Sequence, residues 1–99
     1  MAHPINPPVH PGEILREEFL VPLGMSAGAL AKRLNVPGAR IERLVAETTA
    51  MTPDTALRLG KFFATSPEFW TNLQTAYDLT ARSQAMREEI EAIEEMRAT

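Results

Sequence analysis

Apolar residues recur at intervals of three and four along most of this chain, the spacing that lines up one face of an α-helix. Ile14, Leu15, Phe19 and Leu20 make the first such face, from a start near Pro11-Gly12. Pro22 and Gly24 are expected to end that helix. A second face, Leu30 and Leu34 with Ala27 and Ala31 beside them, follows Ser26, whose hydroxyl suits an N-cap. Asn35 comes next, and asparagine tolerates the left-handed conformation at a helix C-terminus. Ile41, Leu44 and Val45 define a third inward face over about residues 37–46, leaving Ala39, Arg40, Glu42 and Arg43 outward.

Two later helices begin with one chemistry. Thr52-Pro53-Asp54 and Ser66-Pro67-Glu68 each supply a capping hydroxyl, a proline with no N–H to leave orphaned, and an acid that complements the helix dipole. The fourth helix should bury Ala56, Leu57, Leu59, Phe62 and Phe63, and the fifth Phe69, Trp70, Leu73 and Tyr77. From Ser83 to Thr99, Met86, Ile90 and Ile93 share a stripe among glutamates. This segment either continues the fifth helix or forms a sixth. Its stripe reads equally as a packed or solvated amphipathic face and as a docking face for a partner or second subunit. No run alternates in the manner of a strand. The expected architecture is all-α: a proline-rich arm over 1–10, a five-helix domain over 11–80 and an amphipathic helical extension over 81–99.

The arm carries Pro4, Pro7 and Pro8, with Pro11 just beyond, and proline prevents helix continuation. It reads as a free terminus or as an arm that reaches a partner or DNA. A chain of 99 residues, 44% hydrophobic, fits one modest core. No apolar stretch is long enough to cross a bilayer, and the N-terminus lacks the basic and greasy regions of a signal peptide, so a cytoplasmic protein is expected.

Enzyme chemistry finds little to work with. Without cysteine there is no disulfide, no thiolate nucleophile and no zinc finger. His3 and His10 lie in or beside the arm, away from any His-Glu-x-x-His spacing, and read as solvated, though His10 could instead cap the first helix. The pairs Glu17-Glu18, Glu88-Glu89 and Glu94-Glu95 are adjacent, so their side chains splay apart on solvated helix faces. The five glycines form no phosphate loop. We expect no enzyme, no cofactor and no metal.

Charge changes the picture through its distribution. The chain carries a net −3. Between Ser26 and Ala46, however, Lys32, Arg33, Arg40 and Arg43 face a single carboxylate, Glu42. The segment from Arg82 onward has five glutamates against three arginines. A local basic surface is compatible with DNA binding, because binding responds to the local field. The gap of about three residues around Asn35-Val36-Pro37 has the length and chemistry of a helix-turn-helix. In that motif the second helix enters the major groove with its N-terminal residues at base edges. Arg40 and Arg43 could then bond guanine bidentately, and Ala39 could touch a thymine methyl. Lys32 and Arg33 would meet phosphates or face solvent. With Ser26 and Gly38 at the two helix starts, these residues form the predicted DNA-facing set.

Three stretches carry a more specific signal: "HPGEILREEFLVPLGMS" at 10–26, "LAKRLNVP" at 30–37 and "TPDTALRLGKFFATSPEFWTNLQTAYDL" at 52–79. Together they resemble the HigA antitoxin family, VapI-like members of the lambda-repressor-like, Xre-type helix-turn-helix group. The resemblance implies an antitoxin that neutralises a RelE-like, mRNA-cleaving HigB toxin. It also implies a homodimer that binds its own operator, as double-stranded DNA, and represses its operon. An orphan Xre-type regulator without a toxin is the lesser variant of that reading. The family's "SPEFW" helix implies dimer contacts at Phe69, Trp70, Leu73 and Tyr77. Core packing against the first and fourth helices is the competing reading of those four. Met86, Ile90 and Ile93 join them as candidate partner residues.

The chain departs from the family pattern twice. Ala27 and Gly28 stand where a polar residue commonly follows the second helix cap. Ala46-Glu47-Thr48-Thr49 replaces a glycine followed by a basic residue after the third helix. A carboxylate near phosphate is repulsive. Each lost phosphate contact should lower the salt slope of DNA binding by about 0.9. A toxin-binding module that keeps the fold but little operator affinity is therefore the alternative.

Overall fold

The computed structural model describes residues 8–96, and the described residues are helical with no strand. His3, Pro4 and Pro7 of the arm lie outside them. Helix α1 spans 11–23 in three continuous parts: Pro11–Ile14, a wider π-helical stretch Leu15–Leu20, and Val21–Leu23. Then come α2 (Ala27–Leu34), α3 (Gly38–Val45), α4 (Pro53–Phe63), α5 (Pro67–Ala85) and a short α6 (Arg87–Glu91).

Helix α1 corrects two expectations. Pro22 does not stop the helix; it lies in the last turn, and Gly24 ends it in the left-handed conformation at φ 62°. A proline inside a helix lacks an N–H and crowds the carbonyl four residues back. The preceding π stretch, in which the Val21 N–H donates to the Arg16 carbonyl five residues back, widens the helix where that crowding would fall. His10 is not solvated. It is 4% exposed, its Nδ1 accepts the Gly12 N–H at 2.9 Å, and its ring meets Tyr77 edge-on at 4.9 Å. Thus "HPGE" is a helix start in which His10 caps, Pro11 opens the first turn and Glu13 supplies the first-turn acid.

The core gathers Leu15 and Leu20 of α1, Leu30, Ala31 and Leu34 of α2, Ile41 and Leu44 of α3, Met51, Ala56 and Leu59 around α4, and Trp70 of α5. Trp70 is fully buried, its indole N–H donating to Thr65 Oγ1 at 2.9 Å, so its polar edge is satisfied inside the core. Phe19, Phe63 and Phe69 surround it with ring centroids 4.9–6.4 Å from its own. Each large side chain buried here contributes about 1.5–3 kcal/mol. The predicted faces of α2 and α3 hold, with Val45 only half-buried. On α4, Leu57 was expected inside but is 61% exposed. The buried face of α4 is made by Thr55, Ala56, Leu59 and Gly60, and Leu57 lies about 100° further round the helix than Ala56, outside that face.

Met86 separates α5 from α6, and the tail is therefore both a continuation and a sixth helix. Helix α5 runs unbroken through residue 81. Helix α3 packs on α2 and α1, while α5 packs on α4 and α1, so the α2–α3 pair is held from behind by the rest of the domain.

Candidate nucleic-acid interface

The turn between α2 and α3 is built from backbone geometry. Asn35 adopts φ 58° and ψ 47°, and its N–H donates to the Lys32 carbonyl at 3.2 Å. The Val36 N–H donates to the Ala31 carbonyl at 3.0 Å, closing the C-terminal turn of α2. Pro37 is extended, φ −62° and ψ 143°, and α3 begins at the next residue. Two helices joined by three residues in this way make a helix-turn-helix.

Helix α3 turns Ile41 and Leu44 inward. Ala39, Glu42 and Arg43 are exposed, and Gly38 and Arg40 are half-buried. Among the described residues no carboxylate lies within ion-pair distance of Arg43. Its main chain is well anchored, because its carbonyl accepts both the Thr48 N–H at 3.0 Å and the Thr48 hydroxyl at 3.1 Å. Arg40 is held differently. Its Nη1 donates to Asp54 Oδ2 at 2.5 Å. Asp54 Oδ1 also accepts from Arg58 Nε at 3.1 Å, and Arg58 Nη1 donates to the Leu34 carbonyl at 2.8 Å, at the end of α2. The hydrogen bond from Arg40, and after it that from Arg58, hold the Asp54 carboxyl below the usual aspartate range. Arg40, Arg43, Thr49, Thr52, Asp54 and Thr55 line one open depression beside α3.

The remaining predicted DNA-facing residues are spread out. Ser26 is an exposed cap, its Oγ accepting the Ala29 N–H at 3.0 Å. Lys32 and Arg33 are both exposed. Arg33 lies 5.0 Å over the Phe62 ring, in a separate groove between α2 and α4 that also contains Leu57 and Lys61. Of the predicted partner set, Trp70 is enclosed in the core, so it packs rather than touches another molecule. Phe69 is 38% exposed, Leu73 and Tyr77 are half-buried, and Met86 is half-buried. Ile90 and Ile93 are 51% and 68% exposed.

Glu47, expected to repel phosphate, sits at φ 65° just after α3 and accepts a hydrogen bond from Arg16 Nη1 at 3.2 Å. The same Arg16 Nη1 donates to the Val45 carbonyl at 2.5 Å, and Arg16 Nε pairs with Glu17 at 2.8 Å. The bond to Glu17 first, and that to Glu47, strengthen the hold of Arg16 on its proton. Sequence reasoning missed Asp54, Arg58 and Arg16 as parts of this surface. Asp54 and Arg58 stand at i,i+4, a spacing readable as a helix ion pair. Arg40 with Asp54, and Arg16 with Glu47, are joined only by the fold.

No protein-family model matches the chain. Virulence-associated protein I of Dichelobacter nodosus is 54% identical to it over 78 residues, 79% of this chain and 72% of that protein. Antitoxin HigA-1 of Vibrio cholerae is 38% identical over 72 residues, 73% of this chain and 68% of that one. The solved structure of Pseudomonas aeruginosa antitoxin HigA with the higBA promoter superposes with a TM-score of 0.87 at 42% identity, covering 91% of this chain and 99% of that one.

Proposed function

The chain belongs to the HigA family of helix-turn-helix antitoxins, and from that membership we propose that it binds its own operator through α3 and neutralises a RelE-like toxin. It is a binding protein with no catalytic step of its own, working in the cytoplasm as a homodimer, since two-fold symmetry matches a palindromic operator with half-sites about one DNA turn apart. The observation that carries the DNA reading is Arg43, an exposed guanidinium on the outer face of α3 with no carboxylate beside it among the described residues, next to Arg40 in one depression. Such a side chain can meet a guanine edge bidentately, a contact worth about 1–3 kcal/mol of discrimination.

Fluorescence anisotropy of the protein on a duplex from upstream of its own reading frame, against a scrambled duplex and across a salt series, tests this. Preferential binding that weakens with salt, and weakens further in Arg43→Ala, is expected. Equal affinity of wild type and Arg43→Ala for both duplexes refutes the assignment. A second reading, a toxin-binding module with little DNA affinity, is favoured by the Glu47 carboxylate where a basic loop would serve phosphate. It predicts that the wild type does not distinguish the two duplexes yet still forms a complex with its toxin.

A further inference from the structure

We propose that Asp54 is a positioning residue that orients the Arg40 guanidinium for one base pair and so sets sequence specificity; this rests on the operator-binding reading. Arg40 reaches Asp54 through Nη1 alone. Among the described residues its Nε and Nη2 donate to nothing. In a guanidinium the Nε–H and Nη2–H bonds lie on the edge away from Nη1, parallel and correctly spaced for two acceptors in a plane. That edge matches the O6 and N7 of a guanine in the major groove. A carboxylate on Nη1 therefore leaves the reading edge vacant and removes the side chain's freedom to swing away from it.

The carboxylate is itself held by a second guanidinium and by its place at a capped helix start. Asp54 lies in the first turn of α4, behind the Thr52 cap, whose hydroxyl accepts the Thr55 N–H at 3.3 Å. Arg58 Nε holds its other oxygen at 3.1 Å. Arg58 is anchored in turn on the Leu34 carbonyl, the last residue of α2. The chain Leu34–Arg58–Asp54–Arg40 thus ties the reading arginine to the end of the helix that precedes the turn. An arginine held before binding loses less rotamer freedom when it binds, which favours the matched base over the mismatched ones. The negative charge has an opposite effect on the backbone of DNA, where it opposes general attraction to phosphate. Asp54 therefore raises selectivity while lowering indiscriminate affinity.

The test uses the full chain with four variants: Asp54→Asn, Asp54→Glu, Arg40→Ala and the double variant Asp54→Asn with Arg40→Ala. Each is titrated against the upstream duplex, a scrambled duplex, and versions of the upstream duplex in which each G·C pair is exchanged for A·T in turn. Melting curves confirm that the variants are folded. Asp54→Asn is expected to lose about fivefold or more of the preference for the duplex carrying the guanine that Arg40→Ala also stops reading. It should bind scrambled DNA as well as, or better than, wild type. The double variant should read as Arg40→Ala alone, and Asp54→Glu should recover part of the preference. A general helix-stabilising role would lower the melting temperature without erasing selectivity at one base pair. The proposal is overturned if Asp54→Asn binds upstream and scrambled duplexes more tightly by the same factor, the behaviour of a latch that merely withholds Arg40. Failure of the wild type to distinguish the two duplexes removes the operator reading itself, and the proposal with it.

Discussion

Gly12→Ala should damage this protein out of proportion to one added methyl. A Cβ placed on Gly12 lies 1.8 Å from the Leu44 carbonyl oxygen and 2.8 Å from its carbon. Both are main-chain atoms of α3, so no flexible side chain can swing aside. Helix α1 must instead retreat from α3 by more than about one ångström, in a core packed as densely as an organic crystal. Forced overpacking of this kind costs about 1–3 kcal/mol and occasionally more. Replacing glycine by alanine in a helix returns at most about 1 kcal/mol, and less in the first turn, where Gly12 sits.

The net expectation is a loss of about 2 kcal/mol. For a domain of this size that lowers the melting temperature by roughly 8–16 °C. Gly28→Ala is the control: it lies in the first turn of α2, and its added Cβ meets nothing within 4 Å. It should raise stability by up to about 0.5–1 kcal/mol. Thermal and urea unfolding followed by circular dichroism, with the urea slope compared between variants, measures both. If Gly12→Ala melts within about two degrees of wild type, the close approach of α1 to α3 is not what requires glycine, and the reasoning fails.

Three further outcomes follow from particular contacts. His10→Ala removes a cap and a buried ring against Tyr77, and should cost about 2 kcal/mol in urea unfolding, of which His10→Asn recovers the cap share alone; equal stability of alanine and asparagine variants would refute the capping role. Because Asp54 titrates below its ordinary value of 3.8, its ion pairs stabilise the fold above that value and are lost as pH falls through the lowered one. The melting temperatures of wild type and Asp54→Asn should accordingly differ at neutral pH and draw together as pH falls; a gap that stays constant through the whole acid titration would show that charge is not its source. Deleting residues 86–99 removes the exposed Ile90 and Ile93 and should leave operator binding unchanged while weakening toxin neutralisation; full neutralisation by the truncated chain would assign the tail no partner.

The elements that the sequence announces are those with local causes. Ser26, Thr52 and Ser66 each accept a hydrogen bond from the N–H three residues on, as their position before a proline or an apolar run leads one to expect. Asn35 takes the left-handed conformation, and the turn and the α3 faces follow. What was not legible depends on contacts between distant residues. His10 looks like a terminal residue until α5 brings Tyr77 against it. Leu57 fits the apolar pattern of α4, yet the core there is filled by Ala56 and Leu59, and one helix cannot turn every apolar residue inward. Arg40 and Arg43 were visible as outward residues, but the partnership of Arg40 with Asp54 spans 14 residues and has no local signature.

The Glu47 departure takes its meaning from the same long-range logic. The last carbonyls of a helix lack intrahelical partners, and its C-terminus favours positive charge. Arg16 supplies both needs for α3 by donating to the Val45 carbonyl. Arg16 is itself flanked by two carboxylates, Glu47 on the same Nη1 and Glu17 on Nε, so the cluster beside the C-terminus of α3 carries a net negative charge. Glu47 holds a left-handed φ of 65°, which glycine would take at lower cost. The Glu47 carboxylate is engaged by α1, which only partly offsets the repulsion it would offer a phosphate. Helix α1 touches α3 at Gly12 and at Arg16, near the C-terminal end of α3, while Asp54 holds Arg40 near its N-terminal end. The orientation of α3 is thus set by residues that need not touch DNA, and changes in α1 should reach the interface through α3.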